Sequence, residues 1–113
     1  MHEMSIAESL LRTLEDQSLQ KGFRKVKKIW LEIGPLAVID PESLSFYFTI
    51  VSRNTLAEGA SLIVIDIPGQ ALCQACGKTV SISQRYDACN YCGSYRLEVL
   101  QGDEMRIKEL EVY

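Results

Sequence analysis

The chain has 113 residues, 47% of them hydrophobic and 24% charged, which excludes a disordered tail and favours one compact domain with at most a small added module. Lys and Arg number 12 and Asp and Glu number 15, so the formal net charge is −3; no run of Lys and Arg is longer than two, and we expect no electrostatically driven binding of a nucleic acid. No apolar stretch reaches the roughly 18 residues of a membrane span. Acidic Glu3 stands where a signal peptide is positively charged, so we expect a cytoplasmic protein that contacts neither nucleic acid nor membrane.

The first predicted element is a helix over residues 5–21. Apolar side chains recur at every fourth position from Ile6 to Leu14 and form one stripe, as in an amphipathic helix. Ser5 has the side chain of a good N-cap, and Gly22 suits the left-handed residue that ends many helices. We therefore expect this helix to begin at Ser5, to end before Gly22 and to bury its apolar stripe.

Three strands and a second helix follow. Alternating apolar residues predict strands over residues 25–33 and 105–112, and the continuous apolar run 61–67 predicts a third. Asp40, directly before a proline, is placed to cap a helix that ends near Asn54. These elements describe a small body of mixed helices and strands.

The four cysteines lie together in a polar stretch without a long apolar period. They form two C-x-x-C pairs, each followed by glycine: Cys73, Cys76, Cys89 and Cys92. Each pair lets two thiolates of one tight turn face one ion, and two pairs complete the tetrahedral four-sulfur set of structural zinc, which leaves no position for a catalytic water. The glycine after each pair is expected to turn the chain with a positive φ. Two disulfides, an iron–sulfur centre or a redox pair are the alternatives, and the expected cytoplasmic location disfavours the disulfides.

The cysteine-rich stretch interrupts the body before its last strand. We therefore expect an α+β fold in which a small three-stranded sheet and two helices form one domain, residues 1–70 and 98–113, with a zinc ribbon, residues 71–97, inserted into it. The ribbon has almost no hydrophobic core of its own, so its fold would depend on the metal.

His2 is the only histidine of the chain. A histidine in this place is most often a solvated side chain, but chelation is a second interpretation. The Met1 α-amine, the His2 amide nitrogen and the His2 imidazole can bind one ion in fused rings, with the Glu3 amide, the Glu3 carboxylate or a nearby side chain as the fourth donor. A planar, nitrogen-rich donor set suits Ni(II) or Cu(II) rather than tetrahedral zinc.

With both sites in view, the sequence resembles the HypA/HybF family, the nickel-incorporation metallochaperones of nickel–iron hydrogenase maturation. Residues 1–5 read MHEMS and residues 31–34 read LEIG; the two C-x-x-C pairs follow, and residues 102–105 read GDEM. These motifs occur in the family's order and spacing, and the resemblance covers essentially the whole chain.

The resemblance implies a function and a set of ligands. The chain would not be an enzyme but a nickel metallochaperone that binds Ni(II) at its amino terminus and delivers it, with the partner GTPase HypB, to the precursor of the hydrogenase large subunit. His2 would be the essential nickel ligand, and Glu3 would contribute to nickel binding or to a partner contact. Asp40 matches an acidic position near the nickel site of some members, which competes with its interpretation as a helix cap. Either a monomer or a homodimer is compatible with this function.

Two other functions compete with this one. A zinc-ribbon adaptor in a transcription or translation assembly would need a basic, aromatic ribbon, but the charges of residues 70–100 nearly balance. Tyr86, Tyr91 and Tyr95 fit packing around the metal knuckles or a protein interface better than stacking on bases. A small enzyme would need a nucleophile or base with partners, which a single terminal histidine does not supply.

Overall fold

A computed structural model describes residues 3–113 as two helices and two small sheets, which confirms the expected α+β class. Within these residues, no helix combines the length and the apolar character that crossing a bilayer requires. The elements are, in chain order, α1 (Glu3–Lys21), β1 (Val26–Ile33), a short 3₁₀ helix (Pro35–Ala37), α2 (Pro41–Val51), β2 (Ser61–Asp66), β3 (Gly69–Cys73), β4 (Thr79–Ile82), β5 (Leu97–Gln101) and β6 (Met105–Val112).

The chain divides into two compact units, each formed by segments that are not contiguous in sequence. The predicted insertion, residues 71–97, falls within the second unit, which extends beyond it because the paired strands β3 and β5 reach further in both directions. We call the two the helical unit (residues 3–31, Ile39–Val64 and Ile107–Tyr113) and the cysteine unit (Glu32–Val38 and Ile65–Arg106).

The first helix buries the stripe that its sequence predicts. Ile6, Leu10 and Leu14 are buried, and α1 packs against α2. Gly22 has a φ of 78°, and its N–H donates to the Ser18 carbonyl at 2.8 Å, which confirms the left-handed end of the helix.

The expected N-cap at Ser5 is wrong. Helical backbone is already present at Glu3, so Ser5 lies inside the first turn and lacks the non-helical dihedral angles of a cap. Ser5 and Glu8 have the three-residue spacing of a capping box. Two residues inside a helix that lie on one face have the same spacing, so the pattern alone does not locate the first residue of the helix.

The helical unit is organised around β1, the central strand of a sheet with the order β2-β1-β6. Ile29 and Leu31 of this strand are fully buried, whereas Trp30 between them is half-buried. From α2, Leu44 and Phe48 join the buried set. Alternation along the strand and four-residue spacing along the helices therefore account for this core.

The cysteine unit contains a second three-stranded sheet, with the order β4-β3-β5 and antiparallel pairing. Residues 72–97 lack a long apolar period, so their pattern indicates short polar turns and does not reveal β4. β4 has 4 residues, of which Val80 and Ile82 are buried and the other two are exposed. An alternation this short cannot be distinguished from a polar turn by its pattern alone.

Three glycines bring distant segments of the cysteine unit into backbone contact. A Cβ atom at Gly34 would overlap the backbone of Gly102, and a Cβ atom at Gly102 would lie 2.6 Å from the Cα of Gly69. Close to this contact, the Leu36 N–H donates to the Gly102 carbonyl at 2.8 Å. A side chain at Gly34 or Gly102 would push these segments apart. A Cβ atom at Gly69 would overlap the Ile82 carbonyl oxygen, so all three positions require glycine.

Candidate metal centre

The structure brings the four cysteines into one cluster whose sulfur atoms all lie within 4.8 Å of one another. The Sγ atoms of Cys73 and Cys92 are 3.6 Å apart, and those of Cys76 and Cys89 are 3.7 Å apart. A tetrahedral zinc ion with Zn–S bonds of about 2.3 Å separates its sulfurs by about 3.8 Å. All four residues are free cysteines. The donor set therefore fits zinc in chemistry and in size, consistent with a structural zinc site.

The first C-x-x-C pair sits on a tight turn at the end of β3. The Gly77 N–H donates to the Cys73 carbonyl at 2.8 Å, and the Cys73 N–H donates to the Lys78 carbonyl at 2.9 Å. Gly77 has a φ of 78°, the positive value that its place after the C-x-x-C pair predicts. The turn is closed by backbone hydrogen bonds alone, so it can present its thiols without the help of a long element.

The second pair repeats this geometry. The Gly93 N–H donates to the Cys89 carbonyl at 2.9 Å, the Cys89 N–H donates to the Ser94 carbonyl at 2.8 Å, and Gly93 has a φ of 75°. The Tyr91 N–H also donates to the Cys89 Sγ atom at 3.4 Å. A backbone donor of this kind stabilises a thiolate, so the turn favours the charged form that a metal binds.

The first cysteine of each pair is buried and the second is exposed. The two buried sulfurs belong to the hydrophobic core of the cysteine unit, which is small and consists of Leu36, Ala71, Cys73, Val80, Ile82 and Cys89. The metal centre is thus an integral part of this core rather than an addition to its surface.

The acid–base properties of the metal-free thiols also alternate along the chain. The backbone N–H groups of Cys92 and Tyr91 lower the pKa of Cys89 to about 6. The Ser94 N–H favours the thiolate of Cys92, but the sulfur of Cys73, burial and the other two sulfurs together raise the pKa of Cys92 to about 11. At neutral pH the cluster therefore still holds protons, and metal binding must displace them.

A cation and an aromatic ring connect the two turns. The Lys78 ammonium group follows the first pair and lies 4.2 Å from the ring centroid of Tyr91 in the second pair. Four thiolates around one Zn²⁺ carry a net negative charge, so a lysine at this position adds favourable electrostatics to the contact between the turns.

The other two tyrosines do not pack around the metal turns. The side chains of Tyr86 and Tyr95 are 74% and 75% exposed, so packing around the knuckles is the wrong interpretation for them. A protein interface at these two tyrosines stays a prediction.

The structure describes two of the four residues that are predicted to bind nickel, Glu3 and Asp40. Met1 and His2 lie outside the described residues, and Glu3 is in the first turn of α1. Asp40 is the N-cap of α2: its Oδ1 atom accepts from the Glu42 N–H at 3.3 Å, and its Oδ2 atom accepts from the Ser43 hydroxyl at 2.7 Å. Among residues 3–113, the four cysteines are the only such group of potential metal ligands, and neither Glu3 nor Asp40 belongs to it.

Sequence reasoning missed Asp87, which shapes the loop that leads to the second pair. Its Oδ2 atom accepts from the N–H groups of Ser83 at 2.8 Å and Gln84 at 3.1 Å, and from the Ser83 hydroxyl at 3.2 Å. These donors, the Ser83 and Gln84 N–H groups first, lower the pKa of Asp87. The available signal was an aspartate four residues after a serine in a polar stretch, which is typical of a side chain bonded to its own loop.

Comparison with known proteins extends the assignment beyond the metal cluster. A family model described as "Hydrogenase/urease nickel incorporation, metallochaperone, hypA" matches residues 1–112. Proteins named hydrogenase maturation factor HypA are 58% identical in Azotobacter chroococcum mcd 1 and 56% identical in Azotobacter vinelandii, each over 99% of both chains. The solution structure of the Ni metallochaperone HypA from Helicobacter pylori has the same fold, with a TM-score of 0.75 at 24% identity over 99% of this chain and 97% of that one. The chain belongs to the HypA family of nickel metallochaperones for hydrogenase maturation.

Proposed function

We propose that this chain binds Ni(II) at its amino terminus and delivers it, together with a GTPase of the HypB type, to the precursor of a hydrogenase large subunit. The family match carries the proposal, because it extends over residues 1–112 and so includes the Met1-His2-Glu3 start. The cysteine cluster needs all four of its thiolates for one tetrahedral ion. The nickel donors must therefore be sought elsewhere, and His2 is the only histidine available.

The start of the chain offers donors of the kind that Ni(II) prefers: the Met1 amine, the His2 amide nitrogen and the His2 imidazole. Glu3 adds a fourth. Its N–H belongs to the first turn of α1, where N–H groups have no acceptor within the helix, so this nitrogen is free to lose its proton to a metal. A deprotonated amide, or the Glu3 carboxylate, also offsets the positive end of the helix dipole, which on its own repels a cation.

Asp40 ranks below Glu3 as a nickel donor. Both of its carboxylate oxygens already accept hydrogen bonds from the first turn of α2. To bind nickel, Asp40 would have to exchange the Ser43 hydroxyl for the metal and so weaken the cap of its own helix.

The nucleotide chemistry belongs to the partner in this proposal. The sequence contains no Walker A loop to hold phosphates, so the role of this chain in the proposal is to bind the metal and transfer it. Because nickel would leave from the amino terminus, we place the contact with the GTPase on the outward side of α1. Leu19 on this helix is 85% exposed and can extend that contact.

Calorimetric titration of the untagged, zinc-loaded chain with Ni(II) tests the proposal. We expect one tight site in the native chain and a loss of affinity of roughly a hundredfold in His2→Ala, since a removed imidazole takes away one of a few strong donors. Zinc content should be the same in both proteins. Glu8→Gln, which removes an exposed carboxylate further along α1, is the matched control and should bind like the native chain. Unchanged nickel binding by His2→Ala would refute the proposed site.

A further inference from the structure

The cysteine unit carries an apolar groove that neither the zinc cluster nor the proposed nickel site uses. One wall is formed by Pro35, Leu36 and Val38, and the other by the loop of residues 83–86. Its volume of about 490 Å³ is in the range of sites that bind small ligands or the side chains of a peptide. We refer to it below as the apolar groove.

Val38 displays its side chain at the edge of this groove in an unusual conformation. Its backbone is left-handed, with a φ of 52° and a ψ of 53°, and the residue is 84% exposed. A β-branched residue rarely adopts this conformation, and backbone strain of this kind is concentrated at functional sites. The strained backbone leaves the apolar side chain of Val38 exposed to solvent. A partner that covers this side chain would bury apolar surface, which is favourable.

The two walls are held in place before anything binds. The Leu36 N–H donates to the Gly102 carbonyl at 2.8 Å, and Leu36 itself is buried in the core that contains the two buried cysteines. On the other side, the Asp87 carboxylate fixes the loop through the N–H groups of Ser83 and Gln84. A preformed groove loses less conformational entropy on binding than a flexible one.

One cation beside the apolar walls remains available to a ligand. The nearest carboxylate oxygen of Asp103 is 4.0 Å from the Arg85 guanidinium, and the two side chains are 60% and 43% exposed. An exposed ion pair of this length is worth little, so another carboxylate can replace Asp103 at small cost. The closest carboxylate in sequence, Asp87, is already engaged by its own loop. The groove therefore combines apolar walls with a positive charge that is only weakly paired.

We propose that the apolar groove binds a short segment of a partner protein in which an apolar side chain stands next to a carboxylate. The apolar side chain occupies the space between Val38 and Tyr86, whose ring is 74% exposed, and the carboxylate pairs with Arg85. The guanidinium offers two parallel donors to a carboxylate, which gives the contact a preferred orientation. This recognition site is independent of nickel binding at the amino terminus.

Selection of a random peptide library, displayed on phage, against the immobilised zinc-loaded chain tests this inference. We expect the enriched peptides to share an apolar residue adjacent to Asp or Glu. In fluorescence titrations with the corresponding synthetic peptides, Val38→Asp and Tyr86→Ser should each weaken binding roughly tenfold, as loss of a central anchor does. Tyr95→Ser, an equally exposed tyrosine outside the groove, should bind like the native chain.

Charge reversal at Arg85 distinguishes a specific contact with the peptide carboxylate from nonspecific binding. Arg85→Glu should prefer peptides in which lysine replaces the acidic residue, whereas Arg96→Glu, at an exposed arginine outside the groove, should keep the native preference. The proposal is overturned if no common motif is enriched, or if Val38→Asp leaves the binding of the enriched peptides unchanged. It is also overturned if sedimentation shows that Val38→Asp dissociates a homodimer, because the groove would then be occupied by a second copy of the chain.

Discussion

Among the proposed nickel donors, the α-amine of Met1 is the one whose role can be tested most directly. Two residues added before Met1 convert this amine into an amide, which is a poorer donor until it loses its proton, and remove the terminal chelate ring. We expect nickel affinity to fall by roughly tenfold or more, because one of the nitrogen donors changes its basicity. Calorimetry of the extended and native chains, both loaded with zinc, measures the difference.

The same two residues added after Tyr113 are the control for this change. They should leave nickel affinity at the native value, and zinc content should be identical in all three proteins. Equal nickel binding by the amino-terminally extended chain would show that His2 works with side chains, such as Glu3 or Asp40, instead of the amine.

Residues differ in how far their roles could be predicted. The four cysteines and the two glycines after them have roles set by local spacing, and both knuckle glycines adopt the positive φ that the spacing predicts. Val38 and Asp87 could not be recognised in this way. Val38 adopts its left-handed backbone at the end of the 3₁₀ helix, and valine carries no local signal for this conformation.

At the scale of elements, the Ser83–Asp87 turn makes the loop beside β4 sensitive to acid. The folded-state pKa of Asp87 is lowered, first by the Ser83 N–H and then by the Gln84 N–H, below the value of about 3.9 expected for an unfolded chain. The stabilisation is therefore fully present above that value and is lost as the pH falls through the folded-state pKa. We expect Asp87→Asn to unfold at lower urea than the native chain at neutral pH and to approach it as the solution becomes acidic.

Urea unfolding of both zinc-loaded proteins over a series of pH values checks this expectation, and zinc content is measured at each pH so that the two proteins are compared only where both keep their zinc. Glu98→Gln neutralises an exposed carboxylate of β5 and is the control. The difference between its urea midpoint and that of the native chain should not change with pH. A gap between Asp87→Asn and the native chain that stays constant with pH would mean that the carboxylate's charge is irrelevant to the turn.

The helices and the long strands could be predicted because each is long enough to repeat its period. α1 places buried residues at four-residue intervals, and β1 alternates buried and half-buried residues from Ile29 to Ile33. β3, β4 and β5 have only 5, 4 and 5 residues, and one of them ends in a metal-binding cysteine, so their order comes from pairing and from the core around the cysteines. Such long-range causes leave no periodic signal in the sequence.

At the scale of the whole molecule, the two units should respond differently to loss of metal. The core of the cysteine unit includes two of the metal ligands, whereas the helical unit has a separate core of aliphatic and aromatic residues. We expect a strong chelator to unfold the cysteine unit and to leave the helices in place, because the metal supplies most of the free energy of folding of the smaller core.

Trp30, the only tryptophan, reports on this difference because it lies in β1 within the helical unit. Its fluorescence should change little on chelation, while amide hydrogen exchange should accelerate throughout residues 65–106. Cys89→Ser should reproduce the chelated state, and Ser94→Ala, next to the second knuckle, should behave as the zinc-loaded native chain. Loss of both signals in a single transition would show that the helical unit also depends on the metal.

The contact among Gly34, Gly69 and Gly102 also has a consequence for the order of assembly during synthesis. It joins segments far apart in the chain, and contacts of this kind form late, since a long loop must close first. On the ribosome the amino-terminal residues emerge first, and Gly102 emerges after Cys92, the last of the cysteines. The thiols are therefore all available to capture an ion while the backbone crossing is still open. The nascent chain can therefore form the contact among the three glycines after the metal is already bound.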